Sequence, residues 1–344
     1  MGILSKLKPK PKKVYSAVLQ NDGREFPVKE KQSVLSAALN AGIDFPYSCQ
    51  AGSCTTCKCL LLEGEYLALS DMSLILTEEE RKRGFVLACQ TVPRSDLIVA
   101  LEEDESEEFA GKITSIEKLT HDIIELKVSI PEKSKYKAGQ YANLTVPDRI
   151  APRSYSMASP AGSKELQFFI RKTPGGEFSE WLFGEAKKNQ ILQVRSPFGS
   201  FYLREGNDPI IAIAGGSGLA PILAIFKEAA GKIKRDVTFL FGVREQRDLY
   251  CVSEIEAIAA KWKGQFNFVP VLSHEKPDSK WKGARGLVTE FIAQANLSSE
   301  SQAYLCGPPV MIDAAIPILK EKGIQGSNIF FDKFTDRSHL SQNK

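Results

Sequence analysis

Three thiols crowded into Cys49-Gln50-Ala51-Gly52-Ser53-Cys54-Thr55-Thr56-Cys57 constrain this chain more than any other feature in it. The spacing is C-x4-C-x2-C, and a fourth thiol, Cys89, follows in Leu87-Ala88-Cys89-Gln90. One loop presenting three thiolates, with the fourth supplied from a distant segment, is the spacing of a [2Fe–2S] site. The loop must wrap a flat pair of irons, and Ala51, Gly52 and Ser53 are small enough to let it. Gly52 can take backbone angles closed to other residues, and amide N–H groups of such a loop can point at cluster sulfurs. The metal candidates are therefore Cys49, Cys54, Cys57 and Cys89. Zinc is the alternative, although structural zinc sites usually show two short C-x2–4-C pairs and here Cys89 stands alone. Disulfides fit less well: the 7 cysteines cannot all pair, and Met1 to Lys13 lacks the apolar core of a signal peptide. A reducing, cytoplasmic setting is expected.

With 344 residues, two or three domains are expected rather than one. A net charge of +3 is too small to argue for nucleic acid. The longest apolar run, Pro209 to Ala224, is broken by Gly215, Gly216, Ser217 and Gly218, so no membrane span is expected. Residues 1–13, rich in lysine with Pro9 and Pro11, read as a flexible basic tail.

From Val14 the pattern is that of strands. Asn21-Asp22-Gly23 marks a hairpin between Val14–Leu19 and Glu25–Val28. Ser33 to Ala41 reads as a short helix with Gly42 just past its end. Strands are expected at Lys58–Leu62 and Asp96–Leu101, with a polar helix over Thr77–Arg83 between them. Residues 14–101 form one domain on this reading. Residues 102–109 form a linker, because Glu102, Glu103, Asp104, Glu105, Glu107 and Glu108 repel one another and cannot enter a core.

Residues 110–205 show short strands at Gly111–Lys118, Ile123–Ile130, Gln140–Val146, Glu165–Arg171 and Gln190–Ser196, the signature of an antiparallel barrel. Within it Arg153-Ser154-Tyr155-Ser156 precedes Gly175-Gly176-Glu177-Phe178-Ser179. The glycines lead into a helix whose N-terminal amides, with the Ser179 hydroxyl, could hold a pyrophosphate. Arg153 would neutralise the same phosphates in a forked contact. Tyr155 would lie against an isoalloxazine ring, and Ser156 would offer its hydroxyl near the reactive nitrogen.

Residues 206–334 alternate strand and helix, as parallel sheets do. The apolar strand Ile210–Ala214 feeds Gly215-Gly216-Ser217-Gly218-Leu219-Ala220-Pro221, a turn that lets a diphosphate approach the backbone. Further strands are expected at Val237–Val243, Phe266–Leu272 and Ala303–Cys306, and helices at Ile222–Ala230, Ser253–Trp262, Val288–Ala295 and Pro309–Lys322. Cys306-Gly307-Pro308-Pro309 then sits where the carboxyl end of a strand meets a helix. Residues 335–344 are a tail.

Together these motifs resemble the iron–sulfur flavoprotein reductases of the ferredoxin–NADP reductase superfamily, and more narrowly the NADH-dependent reductase components of bacterial multicomponent oxygenases. The resemblance runs from about Val14 to about Phe334. It implies a multidomain α+β and α/β fold: a β-grasp plant-type ferredoxin domain, an antiparallel β-barrel FAD domain and a parallel-sheet nicotinamide-dinucleotide domain. It implies that Arg153, Tyr155, Ser156, Gly175, Gly176 and Ser179 bind FAD, and that Gly216, Gly218, Pro221, Gly307 and Pro308 bind the coenzyme. Tyr155, Ser156 and Cys306 become the residues at the reacting centre. Phe330-Phe331-Asp332-Lys333-Phe334 resembles the closing segment, whose aromatic, Phe334, would lie near the flavin; an edge strand is the plainer reading of the same residues.

The implied cofactors are FAD and a [2Fe–2S] cluster, with NADH as donor and NADPH left open. Arg244-Glu245-Gln246-Arg247-Asp248 offers both an acid for a free ribose and arginines for a 2′-phosphate. A nicotinamide gives its electrons as a pair and a cluster takes them singly, so a flavin between them answers a chemical need. No protein base is required, which suits a chain whose histidines, His121, His274 and His339, lie away from every motif. Cys59 and Cys251 read as core thiols. The expected acceptor is a terminal oxygenase, a Rieske dioxygenase or a diiron monooxygenase, or an intermediate ferredoxin. A deoxysugar dehydratase served by the same electron chain is one alternative, and a ferredoxin-type carrier without flavin activity is the other.

Overall fold

The computed structural model describes residues 13–47, 50, 52, 55–72, 75–76, 78–102, 106–131 and 135–334. Most of both tails, Cys49, Cys54, His339 and the middle of the acidic linker thus lie outside the described residues. Two compact units result, Met1–Asp104 and Glu105–Lys344. Among the described residues no helix is long and apolar enough to cross a membrane.

The first unit opens with β1 (Val14–Leu19) and β2 (Arg24–Lys29), paired antiparallel. Their turn holds because Asp22 Oδ1 accepts the Arg24 amide at 3.0 Å while Gly23 takes φ +73°. Helix α1 (Val34–Asn40) starts where the Ser33 hydroxyl accepts the Ser36 amide at 3.2 Å, a cap typically worth about 1 kcal/mol. Then come β3 (Lys58–Glu63), β4 (Tyr66–Ala68), α2 (Glu78–Lys82), β5 (Phe85–Leu87), β6 (Thr91–Pro93) and β7 (Leu97–Ala100). One sheet runs β2-β1-β7-β3-β5, and β4 pairs with β6 apart from it. Phe26, Leu35, Phe45, Leu76 and Leu87 fill a core that also takes in Cys57, Cys59 and Cys89. The sheet with a helix across it is the β-grasp arrangement. The strands β4, β5 and β6 are too short for periodicity to reveal.

The second unit begins with β8 (Glu107–Lys118), β9 (Ile123–Ser129), β10 (Tyr141–Val146), β11 (Ile150–Ser156), β12 (Glu165–Arg171), α3 (Glu177–Gly184) and β13 (Ile191–Phe198). These six strands run antiparallel in the order β11-β10-β13-β8-β9-β12, and the sheet curls until Met157 beyond one edge bridges Phe168 of the other. The strand expected from Gly111 starts earlier: Glu107 and Glu108 pair with Ser196 and Arg195. Charge kept these residues out of the core, as expected, but an exposed side chain does not stop its backbone from joining a ladder.

The rest of the unit comprises β14 (Ile210–Gly215), α4 (Leu219–Ala229), β15 (Val237–Val243), α5 (Val252–Lys261), β16 (Phe266–Leu272), β17 (Ala284–Arg285), β18 (Gln302–Gly307), α6 (Pro309–Glu321) and β19 (Ile329–Lys333). All six strands are parallel, in the order β17-β16-β15-β14-β18-β19. Along β14, Ile210, Ala212 and Ala214 join one core while Ile211 and Ile213 join the other, so the strand is buried on both faces. That explains its unbroken apolar run. Residues 288–294 form 3-10 turns instead of the expected α-helix. Val288, Thr289 and Ile292 are β-branched and weak helix formers, and Val288 is pressed against Gly242, where an added Cβ would meet it at 2.9 Å.

Strand order reverses at β14, with β15 on one side and β18 on the other. There the turns after β14 and β18 interlock: a Cβ on Gly218 would stand 2.2 Å from the Cys306 carbonyl oxygen. Gly218→Ala should therefore lower the urea midpoint of the larger unit, by the equivalent of about 1–3 kcal/mol, the usual cost of overpacking. Gly184→Ala, at the end of α3 with nothing within 4 Å of its Cβ, is the control that should leave it unchanged.

Candidate functional site

In the first unit, Cys57 and Cys89 come from distant parts of the chain and end side by side. The β3–β5 register sets Lys58 opposite Leu87, and the Ala88 amide donates to the Cys57 carbonyl at 2.9 Å. Gln90 donates its side-chain amide to Cys89 Sγ at 3.5 Å. Gly52, at φ +71°, lies so close that a Cβ would be 2.6 Å from the Gln90 side chain, so the loop needs glycine there on two counts. The other two sequence candidates, Cys49 and Cys54, lie outside the described residues. The pair that is described fits a cluster, because both thiols are buried on backbone segments that are hydrogen-bonded together and one already has an N–H donor. Cys59 is wholly buried opposite Val86. Burial, then the neighbouring Cys89, pushes its thiol up to about 12, as suits a core side chain.

The flavin candidates of the second unit lie on β11 and at the head of α3. Tyr155 packs its ring on Phe178, centroids 5.1 Å apart and planes 44° from parallel. Arg153 is tethered by Nη1 to the carbonyls of Ala151 and Pro152, at 3.3 and 3.0 Å, and by Nη2 to Glu177 Oε2 at 2.6 Å. Helix α3 has no side-chain cap, and its first internal bond runs from Glu180 N to Gly176 O. The amides of residues 177–179 therefore lack helical acceptors. An uncapped helix start beside a guanidinium fits a pyrophosphate. Gly175 takes φ +70°, and its amide donates to Glu180 Oε1 at 2.8 Å. Ser179 bonds within its own turn. It is 3% exposed, and its hydroxyl accepts the Thr173 amide at 3.0 Å and lies 3.1 Å from the Gly176 carbonyl, so it serves the turn.

The coenzyme candidates gather at the carboxyl ends of β14 and β18. Gly307, at φ +146°, would carry a Cβ only 2.9–3.0 Å from the Gly215 backbone, and one on Gly215 would meet Pro308 and Met311 at 2.8 Å. Gly216 takes φ +54° with open space at its Cβ, and its carbonyl accepts the Tyr250 hydroxyl at 3.0 Å. Pro221 sits in the first turn of α4, where its missing N–H costs nothing.

Cys306 pairs in register with Ala214 on one side and Asp332 on the other. Burial, and then the Asp332 carboxylate, holds its thiol well above the usual cysteine range. Ser156 of the barrel donates its hydroxyl to the same carboxylate at 3.2 Å. The Phe334 amide donates to Gly307 O at 2.9 Å. Ser156, Cys306, Gly307 and Phe334 are thus brought together around Asp332, which sequence reasoning quoted within the closing segment but gave no role. Its signal is its register one residue before Gly307's partner, and that is visible only once β19 is known to run beside β18.

Beyond β15 the acids and one arginine of this segment bond to one another. Glu245 and Asp248 cap the turn between them, and Glu245 holds Arg247 at 3.0 Å.

Residues 18–94 match the family described as 2Fe-2S iron-sulfur cluster binding domain, residues 110–202 the oxidoreductase FAD-binding domain and residues 212–316 the oxidoreductase NAD-binding domain. The chain is 38% identical over 336 residues to a xylene/toluene monooxygenase electron transfer component from Pseudomonas putida, covering 96% of this chain and 95% of the relative. It is 32% identical over 314 residues to a toluate 1,2-dioxygenase electron transfer component from the same species, covering 88% and 92%. Among solved structures, a cytochrome P450 reductase from Amycolatopsis superposes with a TM-score of 0.69 at 31% identity, covering 94% of this chain and 99% of that one.

The raised thiol of Cys306 has a consequence for pH. A neutral buried thiol contributes stability that is complete below the ordinary cysteine value and is lost as pH rises toward the folded one. Melting temperature should fall between pH 8 and pH 10.5, and less so in Cys306→Ala. Iodoacetamide at pH 8.5 should leave Cys306 unlabelled until urea unfolds the chain, as peptide mass spectrometry would read.

Proposed function

We propose a specific course for the electrons in this chain, which belongs to the iron–sulfur flavoprotein reductases that serve as electron-transfer components of oxygenases. It is an NAD(P)H-dependent oxidoreductase with FAD-, NAD- and [2Fe–2S]-binding domains. FAD, when bound, supplies the conversion between a donor of paired electrons and a cluster that takes them singly.

The domain limits we assign are 14–101 for the cluster, 110–205 for FAD and 206–334 for the nicotinamide coenzyme. Cys49, Cys54, Cys57 and Cys89 hold the cluster. Arg153 and the amides at the head of α3, after Gly175 and Gly176, hold the FAD pyrophosphate, with Ser179 bracing their turn, while Tyr155 lies against the flavin. Gly216, Gly218 and Pro221 shape the coenzyme's diphosphate turn. Cys306, Gly307, Pro308 and Phe334 surround the nicotinamide. Ser156, its hydroxyl directed by Asp332, faces the atoms between which the hydride moves. NADH is the donor, because Glu245 already neutralises Arg247 where a 2′-phosphate would need it. The acceptor is a terminal oxygenase, a Rieske dioxygenase or a diiron monooxygenase, or a ferredoxin that serves one, in the cytoplasm. The observation that carries this reading is the hydrogen bond from Ser156 to Asp332, which joins the flavin barrel to the strand beside Cys306.

Purified protein should show flavin and cluster absorbance that both bleach when NADH is added without oxygen. Cys54→Ser should abolish reduction of cytochrome c while ferricyanide reduction survives, with the flavin spectrum unchanged. Cytochrome c reduction that persists in Cys54→Ser would sink this electron route. Tyr155→Ala should release FAD during gel filtration that the parent chain retains.

A further inference from the structure

Glu177 occupies an odd place for an acid. It opens α3 directly after Gly175-Gly176, at the uncapped end where a pyrophosphate is to be held, and its carboxylate is 2.6 Å from the guanidinium assigned to that pyrophosphate. The arginine is thus already engaged by a carboxylate, and that carboxylate sits in the first turn of the helix whose start would attract the phosphates. Glu177 is also loosely held: its side chain is 61% exposed against 31% for Arg153. The arginine has other anchors, the Ala151 and Pro152 carbonyls, which stay when the acid leaves.

We propose that Glu177 is a displaceable internal anion that competes with the FAD pyrophosphate for Arg153 and so sets how readily FAD exchanges. The inference rests on the assignment of Arg153 to the pyrophosphate. Loading FAD requires the Arg153–Glu177 pair to part and leaves two like charges near one helix end. An exposed pair of this kind is weak, and repulsion between the displaced carboxylate and the phosphates adds to the cost of parting it. No such conflict arises for a flavin without phosphate.

The test is FAD binding to the full-length chain stripped of flavin, read by quenching of FAD fluorescence and compared with riboflavin. Glu177→Gln keeps the side chain's shape and removes its charge, so it should tighten FAD about three- to tenfold, as expected for an exposed pair plus phosphate repulsion. The gain should shrink in high salt, and riboflavin affinity should not change. Unchanged or weaker FAD binding in Glu177→Gln would overturn the proposal, because the acid would then be neutral toward the phosphates or a positive aid to them. An equal gain with riboflavin would overturn it too, since the effect would not be on the phosphates. Arg153→Gln separates the two layers. If it weakens FAD but not riboflavin, the phosphate assignment stands and Glu177 is judged alone; if it leaves FAD affinity intact, assignment and proposal fall together.

Discussion

Everything in the larger unit depends on backbone meeting backbone where two parallel strands end. At the close of β14 and β18 the two turns are so tightly opposed that Gly215, Gly218 and Gly307 have no room for a β-carbon, each for want of space against the other turn. The contact fixes the relative height of the strand ends. Because β19 continues the same ladder, it also fixes Asp332 beside Cys306. Only then can Ser156, arriving from a different sheet, meet the Asp332 carboxylate. Glycine here is demanded by space more than by dihedral freedom. Gly216 is the opposite case, with φ +54° and open surroundings, a position that leaves the backbone bare.

Charge is distributed around these turns with equal economy. Asp332 lies where a hydroxyl and a buried thiol can both face it, Glu245 ties down an arginine beyond β15, and Glu177 does the same at α3. Each carboxylate restrains a group that would otherwise have several rotamers. The exposed pairs add little to folding stability.

Much of this was legible in the sequence, because the signals were local. Asn21-Asp22-Gly23, Ser33, the C-x4-C-x2-C loop and the glycine turn after Ile210–Ala214 each act through neighbours a few residues away. What escaped the sequence depends on distant partners. The turn bonds of Ser179 were not legible, because a serine three residues into a helix after two glycines can bond outward or back to its own turn, and the position of Thr173 supplies the partner seen. Asp332 went unassigned because its meaning is a register across a parallel ladder. The short pair β4–β6 and the early start of β8 escaped for the same reason: a ladder recruits residues by geometry whatever their side chains favour.

The cysteines show how far environment outranks residue type. Cys89 and Cys306 are both buried. Their neighbours differ in sign. Cys89 is met by the amide of Gln90, a donor, which favours a sulfur carrying negative charge and so favours metal ligation. Cys306 is met by a carboxylate, which disfavours that charge and adds to the burial effect. A thiolate at Cys306 would stand against the Asp332 carboxylate. A neutral sulfur avoids that repulsion and presents a polarisable, uncharged surface beside Gly307.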